Sequence, residues 1–179
     1  AKSDFGVFEA QITGIMVGTT GRYPVPTKVT KITGWTKCEK LKDVRAFLGA
    51  CVGYRIWIPH FSALAEPLYA LTRKSTRFTW TEIEQEAMDR LKQALQTAPV
   101  IQPPDYTGMK GILVLTTDAS PVAAGWVLGQ IDNKGQKNIC RFGSKTFNKA
   151  QRNYAHWKKE LLALCLAVKN ERRYLYGQH

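Results

Sequence analysis

Apolar residues fall along this chain in three textures, and each predicts a different kind of element. Val7 to Val17 is a short apolar stretch with β-branched residues, followed by Gly18-Thr19-Thr20-Gly21 and closed by Pro24 and Pro26. It predicts a small hairpin. The spacing then turns helical. Val29, Ile32 and Trp35 share one face of a short helix, and Leu41, Val44, Leu48, Cys51, Val52 and Arg55 form a longer stripe that Pro59 ends. A short helix is predicted to start at Pro67, where proline is tolerated in the first turn, and to carry Leu68 and Leu71. Thr81 and Glu84 have capping-box spacing ahead of Met88, Leu91 and Leu95, so a further helix should run to about Thr97. Pro99 and Pro103-Pro104 then mark a linker.

After the linker the texture changes again. Ile112-Leu113-Val114-Leu115 is a continuous apolar run of strand length, Gly125 to Ile131 a second candidate strand, and Ile139 with Phe142 a third, the last two separated by the turn Asp132-Asn133-Lys134-Gly135. Consecutive strands joined by short turns predict an antiparallel meander. A long helix should follow from about Asn153 to Tyr176, with Gly177 as its C-terminal cap. Trp157, Leu161, Leu164, Cys165 and Val168 form its predicted buried stripe. The whole pattern is α+β, divided into a hairpin at 1–25, a helical segment at 26–104 and a sheet-plus-helix unit at 105–179.

Composition narrows the possible partners. With 179 residues and 44% hydrophobic content the chain can bury a core, and a net charge of +12 favours an anionic partner, either nucleic acid or an acidic membrane surface. No apolar run approaches the roughly 20 residues that cross a bilayer, and the N-terminus lacks the layout of a signal peptide. A soluble intracellular protein with no membrane partner is expected. Cys38, Cys51, Cys140 and Cys165 form no close pair, which argues against a zinc knuckle or a disulfide framework.

Two carboxylates stand out. Asp118 follows the first apolar run, where a buried strand surfaces into a loop, and either chemistry or an Asx-type turn cap would place an aspartate there. Glu160 lies among the apolar positions of the long helix, facing the sheet, and a desolvated glutamate needs a partner or a metal. His156, one turn earlier, could be a structural partner, so both readings stand. Lys145, Lys149, Arg152, Lys158 and Lys159 cluster near the same face, either to neutralise phosphates or as a solvated surface. Tyr54, Trp57 and Phe61 are better read as core than as stacking platforms.

The stretches Thr117-Asp118-Ala119-Ser120, Gly125, Val127-Leu128, Gln130, Ser144-Lys145, Asn153-Tyr154 and Lys159-Glu160-Leu161-Leu162-Ala163 together resemble the RNase H domain of gypsy-type LTR retrotransposon reverse transcriptases. Upstream, Val44-Arg45-Ala46-Phe47-Leu48-Gly49, Tyr54-Arg55, Ile58-Pro59, Phe61-Ser62, Pro67-Leu68, Phe78-Thr79-Trp80 and Ala98-Pro99-Val100 are similar to the thumb-to-connection segment of the same polyproteins and of gammaretroviruses. The hairpin near Ile12 to Met16 resembles the primer grip.

The resemblance implies a helical thumb/connection segment followed by a partial RNase H-like domain. Asp118 and Glu160 would be the first two catalytic, metal-binding carboxylates of a site that cuts the RNA strand of an RNA–DNA hybrid with paired Mg2+ or Mn2+ ions. The family's third aspartate lies on a strand after the long helix, and the sequence stops at His179, so weak metal binding and weak or absent activity are expected of this chain alone. The paired aspartates of the polymerase motif are not in the sequence. Implied partners are the hybrid, the remainder of the polyprotein and a second copy paired through an exposed strand edge. The implied location is a cytoplasmic virus-like particle or the nucleus. Lys158 stands where the family commonly has an acid, which keeps open a non-catalytic nucleic-acid-binding or protein-interaction module.

Overall fold

A computed structural model describes residues 6–74 and 76–178; residues 1–5 of the hairpin segment, Ser75 and His179 lie outside them. The first texture folds as a three-stranded meander, β1 (Glu9–Ile12), β2 (Ile15–Gly18) and β3 (Gly21–Pro24), rather than one hairpin. The apolar run is broken at Thr13-Gly14, both at positive φ (48° and 88°), and this makes a tight turn that the surrounding β-branched residues conceal in the sequence.

Five helices follow: α1 (Pro26–Thr33), α2 (Leu41–Val52), α3 (Phe61–Leu64), α4 (Glu66–Leu71) and α5 (Glu82–Gln96), with a 3₁₀ turn over Arg55–Trp57. They enclose the main core, in which Val44, Phe47, Cys51, Trp57, Ile58, Leu68, Met88 and Leu91 are buried. On α2 the buried stripe includes Phe47, and Val52 turns outward. Tyr54, Trp57 and Phe61 are core residues, and the Tyr54 hydroxyl donates to the Gly14 carbonyl at 3.0 Å, tying the first sheet to the helices. Burial pushes the Cys51 thiol up to about 12, so it stays protonated in the core.

The proline-rich stretch after α5 is stitched to a strand on either side of it at Ile101 and Gln102. Ile101 is fully buried and exchanges backbone hydrogen bonds with Arg22 of β3 at 2.7 and 2.9 Å, and the Gln102 N–H donates to the Ile139 carbonyl.

Strands β4 (Ile112–Ala119), β5 (Ala123–Ile131) and β6 (Lys137–Thr146) form an antiparallel sheet in that order. The short α6 (Lys149–Arg152) leads into α7 (His156–Leu175). The buried positions of α7 are Ala163, Ala167 and Glu171, and these alanines pack with Ala119, Ala124, Trp126 and Phe147. The expected stripe faces water instead: Trp157 is 70% exposed, and Leu161, Leu164, Cys165 and Val168 are exposed as well. At 3.6 residues per turn it lies roughly a quarter turn from the buried one. Leaving those large side chains out forgoes at most about 1.5–3 kcal/mol each, offset in part by Leu162 and Leu166, which pack half-buried against the alanine cluster. Among the described residues no helix is long and apolar enough to cross a membrane.

The capping box on α5 forms as the spacing predicts, with the Thr81 N–H donating to Glu84 Oε2 at 2.8 Å and the Ile83 N–H to Thr81 Oγ1 at 3.3 Å. Partial burial alone would raise the Glu84 carboxyl, but hydrogen bonds from the Thr81 hydroxyl and amide outweigh it and hold the group below its usual range. Thr81→Ala should therefore cost about 1 kcal/mol in urea unfolding. Because the folded carboxyl is the stronger acid, its share of the stabilisation is complete above the unfolded value and is lost as pH falls through the folded one. The gap between mutant and wild-type denaturation curves should therefore narrow in acid to the share of the Ile83 N–H bond to Thr81 Oγ1, which does not titrate.

Candidate functional site

Side chains alternate along β4, and Leu115 and Ala119 pack toward α7, so Asp118 projects from the other face of the sheet. There it meets the helical segment. Asp118 pairs across the ladder with Gly125, and Gly125 with Ser144. A side chain at Gly125 would bring its Cβ within 2.6 Å of His60 Nδ1. Glycine is thus what lets His60 lie over the sheet, with Nδ1 3.9 Å from Asp118 Oδ2, beyond hydrogen-bond range. His60 is held at φ 51°, ψ 29°, the left-handed region that non-glycine residues adopt at a cost. His60, Thr116, Asp118, Gly125 and Phe142 line a shallow recess of about 110 Å³.

Three contacts at Ser144 set the position of His60. The Arg55 guanidinium donates to the Ser144 carbonyl at 2.6 Å, the Ser62 N–H donates to Ser144 Oγ at 2.9 Å, and the two serine hydroxyls are 3.0 Å apart. The two serine contacts are buried, where a satisfied polar contact strongly specifies geometry, and the arginine contact is half-buried.

Glu160 sits near the start of α7 on the stripe of Ala163, Ala167 and Glu171, half-buried, with Oε1 3.4 Å from His156 Nε2. Ala163 belongs to the cluster of Ala119 and Ala124, so Glu160 and Asp118 occupy the same end of the sheet. They project from opposite faces, however, because strand alternation turns Asp118 away from α7. Among the described residues no group of three or more His, Cys, Asp or Glu side chains is placed to hold a metal. The pair suits a hard divalent cation in ligand chemistry but falls short in number and in facing, so no cleavage step follows from these two residues alone.

Of the five basic residues, Lys145, Lys149 and Lys158 are exposed, Lys159 is half-buried, and the Lys158 ammonium lies 4.3 Å from the Tyr154 ring centroid. Arg152 is engaged elsewhere. Its guanidinium bonds Glu66 of α4 at 3.0 Å and the Phe147 carbonyl at 3.1 Å, which makes it a half-buried staple between the sheet unit and the helices rather than a free phosphate contact.

One polar group escaped the sequence reading. Glu171, 1% exposed, accepts the Trp126 indole N–H at 2.8 Å and lies 3.5 Å from Arg141 Nε. The signal was present: a carboxylate near the C-terminal end of a helix opposes the helix dipole, and Glu171 shares the phase of Glu160.

A three-stranded meander backed by one long helix, with one acid ending its first strand and another opening the helix, has the architecture that begins an RNase H-like fold. The family described as the RNase H-like domain found in reverse transcriptase matches residues 80–179, and the chain belongs to it. Its relatives are retroelement polyproteins. It is 36% identical over 178 residues to the retrovirus-related Pol polyprotein from transposon 297 of Drosophila melanogaster, covering 99% of this chain and 16% of that protein. It is 34% identical over 175 residues to the transposon Tf2-3 polyprotein of Schizosaccharomyces pombe, covering 98% of this chain and 13% of that one.

The gypsy-type resemblance therefore holds, and the chain spans about a sixth or less of these relatives. Foamy viral protease-reverse transcriptase shares the fold at 24% identity, with TM-scores of 0.77 for its complex with RNA/DNA hybrid and 0.79 for its complex with dsDNA. Each match covers 96% of this chain, and they cover 23% and 35% of those chains. RNase H-like domains generally use divalent metals.

The His60–Gly125 contact is open to a double-mutant cycle. Gly125→Ala should destabilise by about 1–3 kcal/mol through overpacking. His60→Gly removes the imidazole that the new Cβ would strike, so the same alanine in that background should cost markedly less, and additive losses in urea unfolding would show that the two residues do not meet.

Proposed function

We propose that this chain is the thumb/connection-to-RNase H part of a retroelement reverse transcriptase, that it binds RNA–DNA hybrid, and that Asp118 and Glu160 are two of the carboxylates with which the whole protein hydrolyses the RNA strand. The observation that carries this reading is the placement of both acids at one end of an RNase H-like sheet, in a chain collinear with retroelement polyproteins over 98–99% of its length. Asp118 and Glu160 would hold Mg2+ or Mn2+ together with a further carboxylate from the strand that follows the long helix in this family. When bound, the metals supply an activated water and stabilise the leaving oxygen. Two carboxylates alone would bind metal weakly, so this chain by itself should cut little or nothing.

Lys145, Lys149, Lys158 and Lys159 would meet hybrid phosphates, the rest of the polyprotein would be the constant partner, and the complex would reside in a cytoplasmic particle or the nucleus. A second reading has one observation in its favour. The outer side of β4, an edge of the sheet, together with the exposed stripe of Trp157, Leu161, Leu164 and Val168, suits a protein-interaction module that pairs with another copy.

The test compares this chain with one extended through the next strand in a hybrid-cleavage assay with magnesium or manganese. The extended protein should cut the RNA strand and Asp118→Asn should abolish cutting. Failure of the extended protein to cut, with Asp118→Asn changing nothing, would remove the catalytic reading. Hybrid affinity should also fall with salt, with a log–log slope of roughly 3 if about four phosphates are neutralised, and the four-lysine alanine variant should flatten it.

A further inference from the structure

Helix α7 carries two stripes, and only one meets the sheet. By apolar area alone Trp157, Leu161, Leu164 and Val168 would win, yet all four face water. The stripe that does meet the sheet holds Glu160, Ala163, Ala167 and Glu171. The alanines let the helix axis close onto Ala119 and Ala124, and Leu162 and Leu166, half-buried, pack against the same cluster, so apolar contact with the sheet is open to more than one rotation.

What fixes it sits at the far end of the stripe. The Glu171 carboxylate takes the Trp126 indole N–H at 2.8 Å and faces Arg141, whose guanidinium also reaches the Tyr174 hydroxyl at 3.2 Å. Trp126 is itself fixed, because its indole lies across Gly143, where an added Cβ would fall 2.1 Å from Nε1. A quarter-turn rotation of α7 would strand the indole N–H without its acceptor and carry the carboxylate away from Arg141. A glutamate near a helix C-terminus gains nothing from the dipole, so its burial there needs this other explanation.

We propose that Glu171 is a positioning residue: its bond to Trp126 and its pairing with Arg141 set the rotation of α7, and so hold Glu160, three turns earlier on the same stripe, against the Asp118 end of the sheet. The importance of that setting rests on the reading of Glu160 as a site carboxylate. The setting itself does not.

The experiment reads the rotation without metal or nucleic acid. Cys165 alkylation and hydroxyl-radical oxidation of Trp157 report the exposed stripe, while Cys38, Cys51 and Cys140 are buried in the folded chain. In Glu171→Leu the apolar stripe should turn inward and both rates should fall by about tenfold, as expected for local burial. Glu171→Gln keeps a carbonyl acceptor for the indole and should restore the wild-type rates. Trp126→Phe removes the donor and leaves the carboxylate; it should lower both rates part of the way, and it decides the question if the leucine variant does not fold. Wild-type rates in a cooperatively folded Glu171→Leu, or in Trp126→Phe, would overturn the proposal. Protected rates in a protein whose extended form still fails to cut hybrid would leave the positioning intact and count against the catalytic reading alone.

Discussion

The structure turns on Ser144. One face of the carboxy-terminal sheet is closed by α7 through a small cluster made mostly of alanines. The other is closed by the helical segment, and the polar contacts at the middle of that closure meet at this residue: Arg55 on its carbonyl, Ser62 on its hydroxyl. Because β6 pairs with β5 and β5 with β4, a tie at Ser144 also fixes Gly125 and then Asp118 across the ladder. The loop that makes the tie delivers His60 over Gly125. Arg152 and Glu66 add a second staple at the edge of the same junction. The helices and the sheet thus share one frame, and the environment of Asp118 is set by residues some sixty positions away in sequence.

The second face obeys a different rule. There a helix packs two alanines and the half-buried Leu162 and Leu166 against the sheet, leaves its other apolar stripe outward and buries one acid, with Trp126, Gly143, Arg141 and Glu171 forming a lock that no single residue announces. A buried ion pair is poor evidence for stability but a good device for specifying one arrangement among several. Its effect here is to place the start of α7 at the Asp118 end of the sheet and to leave a broad apolar stripe outward.

Local rules carried the sequence reading where neighbours in the chain decide the outcome. The Thr81–Glu84 box, the three strands, the core roles of Trp57 and Phe61, and Gly177 at positive φ after α7 all follow from spacing and residue type. The reading failed where distant partners decide. Periodicity showed that Trp157, Leu161, Leu164 and Val168 share a face, but not which face the sheet would take, since that depends on an indole in another strand. Arg152 looked like a free cation because Glu66, its partner, lies 86 positions upstream. Helix phase and strand end suggested one shared face for Asp118 and Glu160; the two side chains lie instead at one end of the sheet on opposite faces, because strand alternation turns Asp118 toward His60 while Glu160 rides on α7.

The most direct test is anomalous scattering from manganese in crystals of the reverse transcriptase that carries this chain, grown with RNA–DNA hybrid. With the rest of the protein in place, manganese peaks bonded to the Asp118 carboxylate and to the Glu160 carboxylate are expected beside the RNA strand. Hybrid bound across the sheet with no manganese at either carboxylate would contradict this.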